Sequence, residues 1–174
     1  MDAVMAQSRG SSKLKWLWLA LLVVVLDLGT KAMATAMLTF GQPLPVVPGF
    51  NLTLLHNTGA AFSFLAGAAG WQRWFFVILA LVVSVVLVGW LRKLKAHETW
   101  TAIAIALILG GALGNVYDRI VHGYVVDFLH FYWQGWHFPA FNLADTGITI
   151  GAAMMIIDAF RNPSGRRGDA DRSK

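Results

Sequence analysis

Four stretches of this chain are long and apolar enough to cross a bilayer, and that restricts its architecture more than any other feature. A helical span needs about 20 largely apolar residues for a hydrocarbon core of ~30 Å. Trp16 to Phe40, Trp71 to Leu91, Thr99 to Tyr117 and Phe141 to Phe160 each meet that need, and no charge falls between Trp74 and Leu91. Lipid offers backbone groups no partner, so such spans must bond internally as helices. Composition agrees, because 57% hydrophobic with 13% charged is too apolar for a soluble domain of 174 residues.

Orientation follows from the basic residues. Eleven of the fourteen are Arg9, Lys13, Lys15, Arg92, Lys93, Lys95, Arg161, Arg166, Arg167, Arg172 and Lys174. The positive-inside rule puts both termini and the loop at Lys95 in the cytoplasm, with the connections 41–70 and 118–140 outside. Tryptophans supply an independent check: Trp16, Trp18, Trp90 and Trp100 mark inner span ends, and Trp71, Trp74, Trp133 and Trp136 mark outer ones. The net charge of +5 sits at membrane edges and forms no separate basic domain, so nucleic acid is not an expected partner. With no cysteine, thiolate nucleophiles, disulfides and thiolate metal sites are excluded.

Lys13, Lys15, the apolar run from Trp16 to Leu26 and the small residues Ala34-Thr35-Ala36 imitate a cleavable signal peptide. Asp27 and Lys31 interrupt that pattern, and their i, i+4 spacing with the acid first suits a helical ion pair. The chain divides into a mobile arm 1–13, a membrane domain 14–161 and a mobile tail 162–174, both ends being polar. In GQPLPVVPG, Pro43, Pro45 and Pro48 exclude a helix. FNLTLLHN then alternates like a half-buried strand, Asn57-Thr58-Gly59 reads as a turn, and Phe62 and Phe64 share a face. The expected fold is therefore a mainly α membrane protein of four transmembrane helices, with a small extracytoplasmic β-sheet over about 43–65.

Polar residues inside so greasy a chain need a reason. Gly110 and Gly114 form a GxxxG pair suited to close helix contact, and beyond them Asn115, Asp118 and Arg119 share one helical face. Asp127 and Asp145 both fall at the outer boundary in aromatic surroundings. Asp145 has a local explanation, since Asn142 can cap a helix with Asp145 three residues on. Asp127 has none. Two carboxylates close together in a low-dielectric site share a proton and titrate as a pair, which can activate water against an amide without a metal. Rival chemistries lack their parts. His56, His97, His122, His130 and His137 form no HExxH, and Ser63 and Ser84 sit in no nucleophile motif. Asp158, with Arg161 at i+3, is expected to snorkel. Asn51-Leu52-Thr53 is a weak sequon.

The patterns NTGAAFS at 57–63, GNVYDR at 114–119, VVDF at 125–128 and PAFNLAD at 139–145 resemble the lipoprotein signal peptidases, the signal peptidase II family of bacteria. The resemblance runs from about Asp27 to Phe160. It implies catalytic Asp127 and Asp145, substrate-binding Asn57, Gly59, Asn115, Arg119 and Asn142, and supporting Asp27, Lys31 and Asp118, with no metal and no cofactor. Thr146 stands where the family often has serine, and His130 where it often has an acid. The implied substrate is a prolipoprotein whose cysteine already bears diacylglycerol, cut just before that cysteine at the outer face of the cytoplasmic membrane. Membrane lipids are the other expected partner, and the chain is expected to be a monomer. A proton-coupled transporter also needs membrane carboxylates, but it should show inverted repeats or broken helices deep in the bilayer. A structural subunit should tolerate loss of both aspartates.

Overall fold

The computed structural model describes residues 13–59 and 70–161. A 3₁₀ turn, Lys13–Trp16, leads into α1 (Leu17–Met37). Strands β1 (Leu44–Val47) and β2 (Phe50–Asn57) follow, then α2 (Trp71–Lys93) and α3 (Thr99–Val121), β3 (Val125–Trp133) and β4 (Trp136–His137), and finally α4 (Leu143–Arg161). The expected tails, and the extended piece carrying Phe62 and Phe64, lie outside the described residues. Lys13, at the inner edge of the expected arm, is buried, and its Nζ donates to Thr99 Oγ1 at 2.7 Å.

All four helices have the length and apolarity of membrane spans. Burial picks out α3 as the centre, because 56% of its most apolar window is covered by protein against 17–22% for the others. Leu21, Ile78, Val85, Val86, Ile156 and Phe160 are left exposed on the outer three, as lipid-facing residues should be. Small residues put α3 in the middle. A Cβ on Gly110 would sit 2.6 Å from the Ala20 carbonyl oxygen of α1, and one on Gly114 would sit 2.5 Å from Asp27 Oδ2. Gly111 and Gly151 make equally close approaches on the α4 side, to Ala144 and Ala104. Without a hydrophobic drive between helices in lipid, such backbone contact supplies the dispersion that holds them.

α1 runs unbroken through Ala34-Thr35-Ala36 and stops at Met37. Phe40, assigned to the span by hydropathy, leaves the helix and forms an isolated bridge with Leu54. Asp158 accepts a hydrogen bond from Thr101 Oγ1 at 3.1 Å, so it ties α4 to α3 in addition to any reach toward the interface. Asn51 and Thr53 are buried.

The sheet is larger than the sequence suggested. Its order is β1-β2-β3-β4, all antiparallel. The main partner of β2 is β3, from the segment read only as a connection, paired through Leu52↔Leu129, Leu55↔Asp127 and Asn57↔Val125. A bulge between Leu52 and Leu55 shifts the register, and both intervening residues, Thr53 and Leu54, are buried. Bulges of this kind re-aim side chains. Gln134 and Gly135 turn β3 into β4 with φ of 45° and 82°, positive at both central residues as tight hairpins require.

One backbone junction positions everything that follows. Phe141, just ahead of α4, donates to the Leu129 carbonyl at 3.0 Å and accepts from the amides of Leu129 and Phe128 at 2.9 and 3.1 Å. The first turn of α4 is thereby fastened to β3, beside Asp127.

Candidate active site

Asp127 is placed by β3 and is 3% exposed. Its Oδ1 accepts from Asn142 Nδ2 at 2.8 Å and its Oδ2 from Asn57 Nδ2 at 3.1 Å. Asp145 is half-buried in the first turn of α4, where its Oδ1 accepts from Asn115 Nδ2 at 2.8 Å. The local capping arrangement is realised too: the Asp145 amide donates to Asn142 Oδ1 at 2.9 Å, and the Asn142 amide reaches back to Asp145 Oδ2 at 3.4 Å. Capping and chemistry are therefore compatible. A cap fixes the carboxylate, and a bound anion suits a helix N-terminus.

Asn142 is the bracket between the two acids. It is fully buried, and its Nδ2 also approaches Asn115 Oδ1 and the Val126 carbonyl, each at 3.2 Å. Behind it stands a charged cluster that the bilayer would otherwise forbid. Lys31 Nζ lies 2.7 Å from Asp27 Oδ2 and 3.0 Å from Asp118 Oδ2, and donates to Asn115 Oδ1 at 3.0 Å. Asp27 Oδ1 accepts the Ala144 amide of α4 at 2.9 Å, and Asp118 Oδ2 accepts the Val126 amide of β3 at 3.1 Å. Each carboxylate thus holds the backbone next to one of the two site aspartates. The i, i+4 pair read from sequence is present, and its further partners lie on α3 and α4.

Arg119 is half-buried. Its guanidinium donates to the Gly59 carbonyl at 3.1 Å and the Asn115 carbonyl at 3.3 Å, and lies 5.2 Å from the Phe76 ring centroid. The Gly59 amide in turn donates to Asn57 Oδ1 at 3.0 Å, which is the expected turn. All ten residues singled out from sequence belong to one hydrogen-bonded network.

Two cavities meet at this network. One of about 510 Å³ is lined by Asp145, Asn115, Arg119, Thr146 and the apolar Phe141, Ile148 and Ile150. The other, about 580 Å³, is lined by Asp127, Phe40, His56, His130 and His137. Both share Asn57, Gly59, Phe138, Pro139 and Ala140. Asn142, expected to contact substrate, is fully buried and lines neither of these two cavities, and it hydrogen-bonds both Asp127 and Asp145. The wall 138–140 was given no role from sequence, although Pro139 and Ala140 open one of the motifs quoted above.

Burial pushes the Asp127 carboxyl up to about 7, with the nearby Asp145 charge as the second cause and the Asn57 and Asn142 hydrogen bonds opposing. The site therefore keeps a carboxyl partly protonated at neutral pH, next to a second one. That combination can give and take protons around a water in a space large enough for a peptide.

Comparison with known proteins gives a consistent result. The family profile of signal peptidase (SPase) II matches residues 19–161. The lipoprotein signal peptidase of Pseudomonas aeruginosa (strain UCBPP-PA14) is 58% identical over 152 residues, covering 86% of this chain and 90% of that protein. That of Aeromonas hydrophila is 54% identical over 159 residues, covering 91% and 95%. Among solved structures, a bacterial membrane enzyme determined by the in meso method superposes with a TM-score of 0.77 at 33% identity, covering 87% of this chain and 90% of that one.

Proposed function

This chain belongs to the signal peptidase II family, and from that membership we propose that Asp127 and Asp145 form its catalytic pair. The enzyme is a multi-pass membrane protease that removes the signal peptides of lipoproteins. The observation that carries the catalytic reading is the bracketing of both carboxylates by Asn142 where two cavities join.

In this reading a water sits between the aspartates next to the scissile amide. Asp127, the more deeply buried, holds the shared proton at rest. Asp145 accepts a proton from the attacking water while Asp127 donates to the carbonyl oxygen. The leaving amine then takes its proton through the same pair. The substrate is a prolipoprotein cut just before a cysteine that bears diacylglycerol. Its acyl chains lie along the apolar wall of Ile148, Ile150 and Phe141, and its peptide runs extended beneath Phe138 to Ala140. An extended peptide exposes the amide that a helix shields.

Arg119 and Gly59 hold the turn over this path. Arg119→Ala should therefore lower kcat/KM on lipid-modified prolipoprotein by roughly tenfold or more, a loss on the scale of one charge-assisted hydrogen bond. Full activity of the folded variant at limiting substrate would remove the positioning role.

The protein sits in the bacterial cytoplasmic membrane as a monomer, organised as the arm, the domain 14–161 and the tail. Both termini face the cytoplasm and the site lies near the outer face, as the basic residues at Arg92, Lys93 and Lys95 support. A cysteine introduced beside Lys95 should resist an impermeant thiol reagent in intact cells and react after permeabilisation. Labelling in intact cells would reverse the topology.

A further inference from the structure

The cavity that Asp127 lines has three imidazoles on its wall, His56, His130 and His137, and the hydrolysis proposed above uses none of them. His130 Nε2 and His137 Nδ1 lie 3.1 Å apart, with ring centroids separated by 5.1 Å and planes 30° apart. His130 Nδ1 is 3.0 Å from the hydroxyl of Thr53, a buried residue at the β2 bulge. If that nitrogen donates to the hydroxyl, the Nε2 lone pair of His130 points at its neighbour. A metal-binding histidine characteristically has its other ring nitrogen held in this way, which fixes the tautomer.

We infer that His130 and His137 form a bidentate site for a borderline divalent transition metal, Zn²⁺ or Cu²⁺, whose occupation inhibits the peptidase. The spacing fits, because two metal–nitrogen bonds of about 2.05 Å meeting across 3.1 Å subtend about 98°, between the cis angle of a square-planar ion and the tetrahedral angle. Among the described residues no group of three His, Cys, Asp or Glu side chains gathers to hold a metal, so water completes the coordination and the ion exchanges with solvent. His137 is exposed, which gives the ion a path in. A dication in this cavity favours the ionised form of Asp127 and so opposes the shared proton that hydrolysis uses. The inhibitory effect rests on the dyad reading; the binding does not.

The experiment uses the full-length enzyme, stripped with chelator and reconstituted in lipid. Zn²⁺ is titrated against cleavage of lipid-modified prolipoprotein, and Cu²⁺ binding is read by electron paramagnetic resonance. Wild type should bind one Cu²⁺ per chain with a spectrum showing two imidazole nitrogens. At free Zn²⁺ about ten times its Kd, cleavage should fall roughly tenfold and recover on chelation. His137→Ala and His130→Gln should each weaken Cu²⁺ binding at least about tenfold. Each variant's Zn²⁺ sensitivity, taken relative to its own metal-free rate, should fall in parallel. The glutamine keeps a polar partner for Thr53, and a variant too damaged to cleave is still scored by the Cu²⁺ spectrum. Absence of imidazole-bound Cu²⁺ in wild type, or Zn²⁺ sensitivity in both variants unchanged from that of wild type, overturns the proposal. If Asp127→Asn retained activity, the catalytic reading would fail while the two-imidazole spectrum could persist, so the two failures are distinguishable.

Discussion

Asp127→Asn and Asp145→Asn should each reduce cleavage of lipid-modified prolipoprotein by roughly a hundred- to ten-thousand-fold or more, the contribution of a positioned general acid or base. Neither change should unfold the protein. Asparagine at 127 presents one acceptor oxygen where the carboxylate presents two, so it loses one of the bonds from Asn57 and Asn142, a cost of about 1 kcal/mol. It also removes a buried titrating group. The folded protein holds the Asp127 proton up to about 7 against an ordinary carboxyl value of 3.8. The contribution to stability is therefore fully present below 3.8 and is lost as pH rises through about 7. Loss of activity with the melting temperature nearly unchanged is the expected signature. The pH profile of the wild type carries the same information. A pair that works with one shared proton loses activity on the alkaline side as that proton leaves Asp127, near the value of about 7. Retention of a tenth of wild-type turnover by either asparagine variant would sink the dyad.

Lys31→Met strands two buried carboxylates at once. The ammonium contacts Asp27, Asp118 and Asn115, and both acids are essentially inaccessible to water. Breaking a buried pair by removing one partner costs about 3–5 kcal/mol, because the remaining charge is left uncompensated. Thermal unfolding of the purified protein should show a correspondingly large drop in Tm. Activity should fall with it, since Asp27 and Asp118 hold the backbone of Ala144 and Val126, next to the two catalytic positions. The triple change Lys31→Met with Asp27→Asn and Asp118→Asn should melt higher than Lys31→Met alone. A single variant melting within a degree or so of the parent would show that the cluster is not held by charge.

Hydropathy was enough to find four spans, since in lipid only helices satisfy the backbone, and basic residues with tryptophans were enough to propose an orientation. Small residues at Gly110 and Gly114 announced close contact, and the cap of α4 was legible because Asn142 and Asp145 are three residues apart. These are local signals, each carried by spacing within one helix. Asp127 was singled out by the oddity of an acid among aromatics, and its role came from the resemblance of VVDF and NLAD to a known family.

Tertiary structure decided the rest. That β3 pairs with β2 could not be read from VVDFLHFYW, since strand pairing depends on a partner about 75 residues away and on a bulge that shifts the register. The Phe141 junction that carries Asn142 and Asp145 to Asp127 is likewise non-local. The resemblance implied Asn142 as a substrate contact; its burial and its bonds to both carboxylates, which a sequence does not record, make it a brace between them. The Asp27–Lys31 pair was predicted as a helical ion pair, but the Ala144 amide that Asp27 accepts and the Asp118 and Asn115 side chains that Lys31 meets lie on other elements, and they come together only because α1, α3 and α4 converge on one point. Residue types set what chemistry was available, and long-range packing in three dimensions brought the two carboxylates into one desolvated site where they can share a proton.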